Sequence, residues 1–235
     1  MSQPRIRTIS KGRLWAERVL LLAGLSAIGI WAGSYVRTAA YQSWQSFAFE
    51  CQLQGSEPTL ARYLAYDGKR VVAAEVAWCC GGESEPTSLP TPGKVHAPRQ
   101  RPIANDALLG RLVIPRLHLG EMVREGDGES TLSLALGHIP GTALPGQGGN
   151  VGVAGHRDTL FRSLRSIGKH DRIEFRTLAG RYDYQVESIE IVKPDDVAVL
   201  AAGNHPQLTL VTCYPFHYVG AAPDRFIVKA RQVSP

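Results

Sequence analysis

The chain is poor in the residues that staple small folds. Among 235 residues there are four cysteines, and two of them, Cys79 and Cys80, are neighbours. That excludes a disulfide-dense scaffold. Cys51, Cys79, Cys80 and His96 show no CxxC or HxxxH spacing, so zinc-ligand patterns are missing too. No dense acidic run suggests a calcium site. Lysine is scarce, six against twenty arginines. The net charge of +5 is also unevenly placed. Residues 106–235 carry 14 basic and 14 acidic side chains, so the excess lies upstream. Much of it sits in Arg5, Arg7, Lys11, Arg13 and Arg18, opposed only by Glu17. The basicity belongs to a tail, which argues against a nucleic-acid-binding face. With 44% hydrophobic residues, the chain is neither wholly disordered nor collagen-like.

The basic tail leads into an uncharged run, Val19–Val36 (VLLLAGLSAIGIWAGSYV). Eighteen helical residues rise roughly 27 Å, close to the thickness of a hydrocarbon core. A secretory signal has a shorter apolar region. The run therefore reads as a transmembrane anchor, with cleavage after Thr38-Ala39-Ala40 and a buried soluble helix as the alternatives. Positive charge before the span, and only Arg37 close after it, put the N-terminus in the cytoplasm and the remainder outside, a single-pass type II arrangement in the cytoplasmic membrane.

Four segments are expected: a basic cytoplasmic tail at 1–18, the anchor at 19–36, an extracytoplasmic stalk or linker at 37–105, and a catalytic domain at 106–235. Tyr41–Phe49 (YQSWQSFAF) has the mix of an interfacial aromatic belt. Pro86, Pro90, Pro92, Pro98 and Pro102 mark an extended linker. Cys51 has Cys79 and Cys80 as possible disulfide partners in an oxidising compartment.

From Leu109 onward, short apolar or alternating runs sit between turn signals: Arg111–Pro115, Asn150–Gly155, Arg172–Thr177, Arg181–Val192, Gln207–Cys213 and Arg225–Val233. Tyr182, Tyr184 and Val186 share one parity and Ile189 and Ile191 the other, which predicts a bulge near Ser188. One helix is predicted over Thr159–Ile167, capped by Asp158 or Thr159, with shorter turns at Leu132–Leu136 and Val197–Ala202. This is a mainly β domain, a closed barrel or a sandwich.

Cys213 is the one cysteine of this domain, and it ends a strand just before Tyr214-Pro215. A thiol there is placed for access, although a free cysteine is often only a small buried hydrophobe. A reactive thiolate needs a cationic neighbour. His156 ends the strand Asn150–Gly155 and suits that role. His138, in a Gly/Pro-rich loop, and His217, after Cys213, also reach a cleft by position. Thr212 and Tyr214, which flank the thiol, are further cleft candidates. Antiparallel pairing of the last two strands would set Arg225 opposite Cys213. An arginine there supplies fixed donors for an oxyanion or a substrate carbonyl. A rim salt bridge to Asp224 or Asp196 is its structural alternative.

At these residues the chain resembles a known family. Leu208–Gly220 (LTLVTCYPFHYVG), followed by Arg225-Phe226-Ile227-Val228, is similar to the TLxTC signature of sortases. Gly137–Thr159 (GHIPGTALPGQGGNVGVAGHRDT) resembles the histidine-bearing segment of class D sortases. The resemblance covers about residues 105–235. It implies a closed eight-stranded β-barrel preceded by one membrane helix, with Cys213, His156 and Arg225 as the catalytic trio. It also selects His156 among the histidines. It implies cysteine transpeptidation: cleavage of an LPxT-type sorting motif after threonine through a thioacyl-enzyme, then transfer to an amine on peptidoglycan or on another protein. Its implied partners are LPxT-bearing surface proteins and the membrane, with no cofactor, metal or nucleic acid. A cysteine endopeptidase of the same fold and an inactive binding module are the alternatives. His170, where the family often has glycine, and the long 50–82 segment depart from the pattern.

The span carries its own test. Full-length protein is expected in the membrane fraction, with residues 106–235 digested by protease added outside intact cells. A mature N-terminus mapped at Tyr41 would instead mark a cleaved signal.

Overall fold

The computed structural model describes residues 11–66, 104–218 and 220–234. Two compact units are present, Met1–Ala40 and Tyr41–Pro235. The first helix, α1 (Lys11–Leu53), contributes to both. Within the first unit its apolar side chains are bare: Leu20, Leu25, Ile30 and Val36 are each more than 60% exposed. Among the described residues this is the one helix long and apolar enough to cross a membrane. Such a surface is stable only where something apolar covers it.

The second unit is built on a closed barrel of eight strands: β1 (Leu108–Ile114), β2 (Leu119–Glu125), β3 (Leu136–His138), β4 (Asn150–Ala154), β5 (Arg172–Arg176), β6 (Arg181–Val192), β7 (Gln207–Tyr214) and β8 (Asp224–Ser234). Around the barrel the order is β1-β2-β3-β4-β7-β8-β6-β5. The β2–β3 and β4–β7 pairs are parallel, and the other six are antiparallel. Alternating side chains fill the interior, among them Leu112, Ile114, Val153, Ile173, Phe175, Leu208, Leu210 and Val228. The parity switch in β6 is a register shift between Val186 and Ser188 against β8, so Tyr184, Val186 and Ile189 all reach the core.

Three expectations need correction. Residues 159–167 do not form an α-helix. They make turns and a 3-10 segment, Arg162–Ser166, with no side-chain cap. Phe161 and Leu164 are drawn fully into the core, and that burial overrides the helical pattern. Next, the barrel has two strands, β2 and β3, beyond those the alternation marks. Met122 and Val123 are consecutive yet both fully buried, which erases the period-two signal of β2. β3 has only three residues, all buried.

The third correction concerns the expected stalk. Its first part, residues 41–66, belongs to the barrel unit, and Tyr41–Phe49 is no interfacial belt: Phe47, Phe49 and Cys51 are buried. A short helix α2 (residues 60–66) folds back on α1, and Tyr63 packs edge-on against Trp44 and Phe47. Gln42 fastens this layer to the barrel. Its Nε2 donates to the Leu134 carbonyl at 2.7 Å, and its Oε1 accepts from the Met122 N–H at 2.9 Å. It thereby satisfies two main-chain groups where β2 and β3 are not paired with each other. The Arg124 guanidinium lies over the Tyr41 ring, 5.4 Å from its centroid. The proline-rich stretch 83–103, Cys79 and Cys80 lie outside the described residues, and with them the disulfide expectation.

Gln42→Ala leaves both main-chain groups without their partner. A cost of about 1–3 kcal/mol is expected. Thermal unfolding checks it beside Gln45→Ala, which removes no such bridge and should cost less than half as much.

Candidate active site

β7 carries two faces. Leu208, Leu210, Thr212 and Tyr214 share the inward parity, and Thr209, Val211 and Cys213 the outward one. Thr209 is buried all the same, because Asn150 accepts its hydroxyl proton at 2.8 Å and donates in turn to the carbonyls of Val199 and Ala201. Cys213, at the strand's end, stays partly exposed. Beneath it Tyr214 stacks on Phe226 and meets Phe216 edge-on, an aromatic cluster that anchors the exit of the strand.

The antiparallel register of β7 and β8 pairs Cys213 with Arg225. Arg225 makes no ion pair with a described carboxylate. Its Nη1 donates to the carbonyls of Ala222 and Asp224, at 3.4 and 3.1 Å. The Asp224 carboxylate is taken by Lys193 at 2.7 Å, so the salt-bridge alternative for Arg225 lacks its partner.

His156 arrives from the neighbouring strand. β4 and β7 run parallel with Ala154 beside Val211, and the pairing continues as the Gly155 N–H donates to the Val211 carbonyl at 3.1 Å. The Thr212 hydroxyl then donates to the Gly155 carbonyl at 2.7 Å. Two bonds thus lock the residue before His156 to the residues before Cys213. Glycine is required at 155, because a Cβ there would lie 2.6 Å from Phe161 and 2.7 Å from Leu136. The His156 side chain is about one-third exposed, with Nε2 3.6 Å from a Glu129 carboxylate oxygen. That glutamate is mostly solvated, so the pair contributes about 0–1 kcal/mol.

The other candidates separate. His138 is a correction: it is 2% exposed and does not reach a cleft. Its Nδ1 lies 2.8 Å from Glu125, and its Nε2 lies 3.0 Å from both the Ala143 carbonyl and the Thr142 hydroxyl. A buried ring satisfied on both nitrogens holds the β3–β4 loop. Thr212 is corrected likewise, since its buried hydroxyl serves Gly155. Tyr214 is half-buried in the aromatic cluster. His217 is exposed on the loop after Cys213. Glu129 and Arg157 also stand at this rim. They carry no signal in one dimension, because their partners become neighbours only through the fold.

Elsewhere on the barrel, a hollow of about 320 Å³ is lined by His118, Glu121, Thr159, Leu160 and Arg162, among others. Glu121 shares the inward parity of Leu119 and Val123, and burial pushes its carboxyl up to about 7 despite the opposing pull of Arg111. The native chain holds that proton more tightly than an unfolded chain. The associated stability is therefore present at low pH and declines as pH rises toward 7. Among the described residues no group of three or more His, Cys, Asp or Glu side chains is placed to hold a metal.

A closed mixed barrel with a cysteine at the end of one strand, a histidine after its parallel neighbour and an arginine opening its antiparallel neighbour is a sortase-type architecture. Residues 112–233 match the sortase domain model, and the chain belongs to the sortase family. It is 32% identical over 126 residues to Sortase D of Bacillus subtilis (strain 168), a match that covers 53% of this chain and 64% of that one, just under two thirds of the relative's length. Among solved structures, a Clostridium perfringens Sortase D5 transpeptidase is 29% identical, with a TM-score of 0.52 over 56% of this chain and 82% of its own. Sortase A from Corynebacterium diphtheriae is 30% identical, with a TM-score of 0.52 over 56% of this chain and 63% of its own.

Arg225 makes different demands as a donor and as a structural residue. Arg225→Lys keeps the charge but loses the planar pair of donors. It is expected to fold normally, with kcat for peptide cleavage lowered about 10²–10³-fold, and Arg225→Ala lower still. His156→Ala should lose most activity and His217→Ala little, whereas His138→Ala should chiefly lower the melting temperature. Steady-state cleavage of a fluorogenic LPxT-type peptide, run beside thermal melts, reads all of these. Near-wild-type kcat in both Arg225 variants would reduce it to a structural residue.

Proposed function

We propose that this protein is a membrane-anchored cysteine transpeptidase. It cleaves an LPxT-type sorting motif after threonine and transfers the new carboxyl end to an amine on the cell envelope. The observation that carries this reading is the convergence at one barrel rim of a strand-end thiol, a partly exposed imidazole and a guanidinium with no carboxylate partner among the described residues. The kinship with Sortase D and Sortase A proteins supports it.

In this reading the Cys213 thiolate attacks the threonine carbonyl carbon, forming a C–S bond as the π electrons move to oxygen. Arg225 donates hydrogen bonds to that oxyanion or to an adjacent substrate carbonyl. The oxyanion collapses, the C–N bond breaks, and protonated His156 gives its proton to the departing amine. The acceptor amine then attacks the thioester and passes a proton to His156. A C–N bond forms, the C–S bond breaks, and Cys213 leaves as thiolate. Proton and electron pairs return to their starting places, so the cycle needs no external redox partner. Thr212, by tying Gly155 to β7, sets the reach of His156 toward the sulfur. The segment 1–18 lies on the cytoplasmic side, 19–36 crosses the membrane, and 106–235 works outside it.

The decisive measurement is product analysis. Purified full-length protein, an LPxT-type peptide and a simple amine should give an amine adduct at threonine, with a thioacyl-enzyme detected by intact mass. Cys213→Ala should abolish both, and alkylation of Cys213 should do the same. Cleavage that yields only free acid at saturating amine would identify an endopeptidase. Cleavage that persists in Cys213→Ala would remove the assignment of the nucleophile, and no reaction with any LPxT-type peptide would favour a binding module.

A further inference from the structure

The chain leaves Cys213 and returns at Arg225 through residues 215–223. Among the described residues this loop has no hydrogen bonds between its own main-chain groups. Phe216 is anchored in the aromatic cluster at its start, and beyond that residue the loop is held by guanidinium. At its end, Arg225 donates to the Ala222 carbonyl. At its crest, Arg157 Nη2 donates to the Tyr218 carbonyl at 2.7 Å and to the Gly220 carbonyl at 3.2 Å. The Arg157 guanidinium also sits 5.8 Å from the centroid of the Tyr218 ring. Gly220 has φ +101°, a conformation in which side chains are strained, so the second carbonyl is presented by a turn that suits glycine.

Arg157 is the residue after His156. One side of the cleft, the turn carrying the imidazole, therefore grips the loop that leaves the thiol. The grip is made at a cost, because Arg157 Nη1 is buried with no acceptor among the described residues. A desolvated cationic donor without a partner weakens the native state, and such groups call for an explanation beyond packing. In the transfer reading, His156 serves the amine in both halves of the reaction. The strip between His156 and the crest of the loop is then the amine side of the cleft.

Resting on that reading, we propose that Arg157 is a positioning residue for the acceptor amine: it pins Tyr218 and Gly220 beside His156 and so builds the wall against which the acceptor is held. It touches no reacting atom. Among the described residues Arg157 is the one side chain that bonds the crest, and its loss should be felt in amine use far more than in acylation.

The test uses full-length protein in detergent, with Arg157→Ala and Arg157→Lys. Chymotrypsin cuts after tyrosine, and Tyr218 is 47% exposed, so the rate of cutting after Tyr218, read by mass spectrometry, reports the latch. In Arg157→Ala that rate should rise about tenfold, the size expected for losing a charged hydrogen bond, and Arg157→Lys should fall between it and wild type. Acylation by an LPxT-type peptide with one residue after threonine, followed by intact mass, should change less than about threefold, while KM for glycinamide rises about tenfold. An unchanged cutting rate overturns the latch. A faster cut with unchanged KM for glycinamide overturns the positioning role. If Arg157→Ala melts too low to assay, Arg157→Lys decides: intermediate values in both readouts support the proposal, and wild-type values in both overturn it. Failure of wild-type protein to acylate would overturn the transpeptidase reading, while the cutting rate would still judge the latch.

Discussion

β4 and β7 lie side by side and run in the same direction although the residues they join are far apart in the chain; the Thr212–Gly155 bond spans 57 positions. Parallel partners end at the same edge of a sheet. The residue just after β4 and the last residues of β7 must therefore emerge together, which brings His156 and Cys213 to one rim. Antiparallel pairing of β7 with β8 then makes the start of β8 coincide with the end of β7, and Arg225 joins them. Strand direction alone assembles the three residue types. The loops only refine what the pairings have already brought together.

Fine positioning falls to small buried groups. The Thr212 hydroxyl and the Gly155 N–H both spend their hydrogen-bonding capacity across the β4–β7 seam, and the absence of a Cβ at Gly155 lets Phe161 and Leu136 close beneath it. Hydrogen bonds in such low-dielectric surroundings are directional and expensive to lose. They orient the main chain of the His156 turn more firmly than an exposed pair such as Glu129–His156 can. His138 does comparable work one strand away, with Glu125, Thr142 and Ala143 surrounding its ring.

Residues 41–66 show how a barrel can recruit a layer from outside the segment that matches its family. Gln42 supplies one donor and one acceptor to main-chain groups that barrel pairing leaves over, and Trp44, Phe47 and Tyr63 form a small aromatic core behind it. The family match begins only at residue 112, so this layer lies outside it. Buried main-chain groups need partners, and here a side chain from a helix meets that need.

Much of this protein is legible in its sequence. Alternation in Arg172–Arg176, Arg181–Val192, Gln207–Tyr214 and Asp224–Ser234 marks strands, because a barrel wall with one packed face imposes period two. The bulge at Ser188 shows as a change of parity. The long uncharged run after a basic tail shows as a helix long and apolar enough to cross a membrane, and the TLxTC-like and GHRDT segments contain Cys213 and His156. Other features are silent for a common reason: they depend on neighbours distant in sequence. β2 loses its alternation because Met122 and Val123, on opposite faces, are both fully buried. The segment 159–167 keeps a helical pattern but is bent into turns by the pull of the core on Phe161 and Leu164. His138 and His156 look alike as letters. One is enclosed by a carboxylate, a hydroxyl and a carbonyl, and the other stands at the rim, because the chain's turns bury the first and expose the second. Local patterning determined which segments become strands and which residue types can do the chemistry. Only the closed set of pairings decided which of them meet, since proximity across a barrel is a property of register and strand direction.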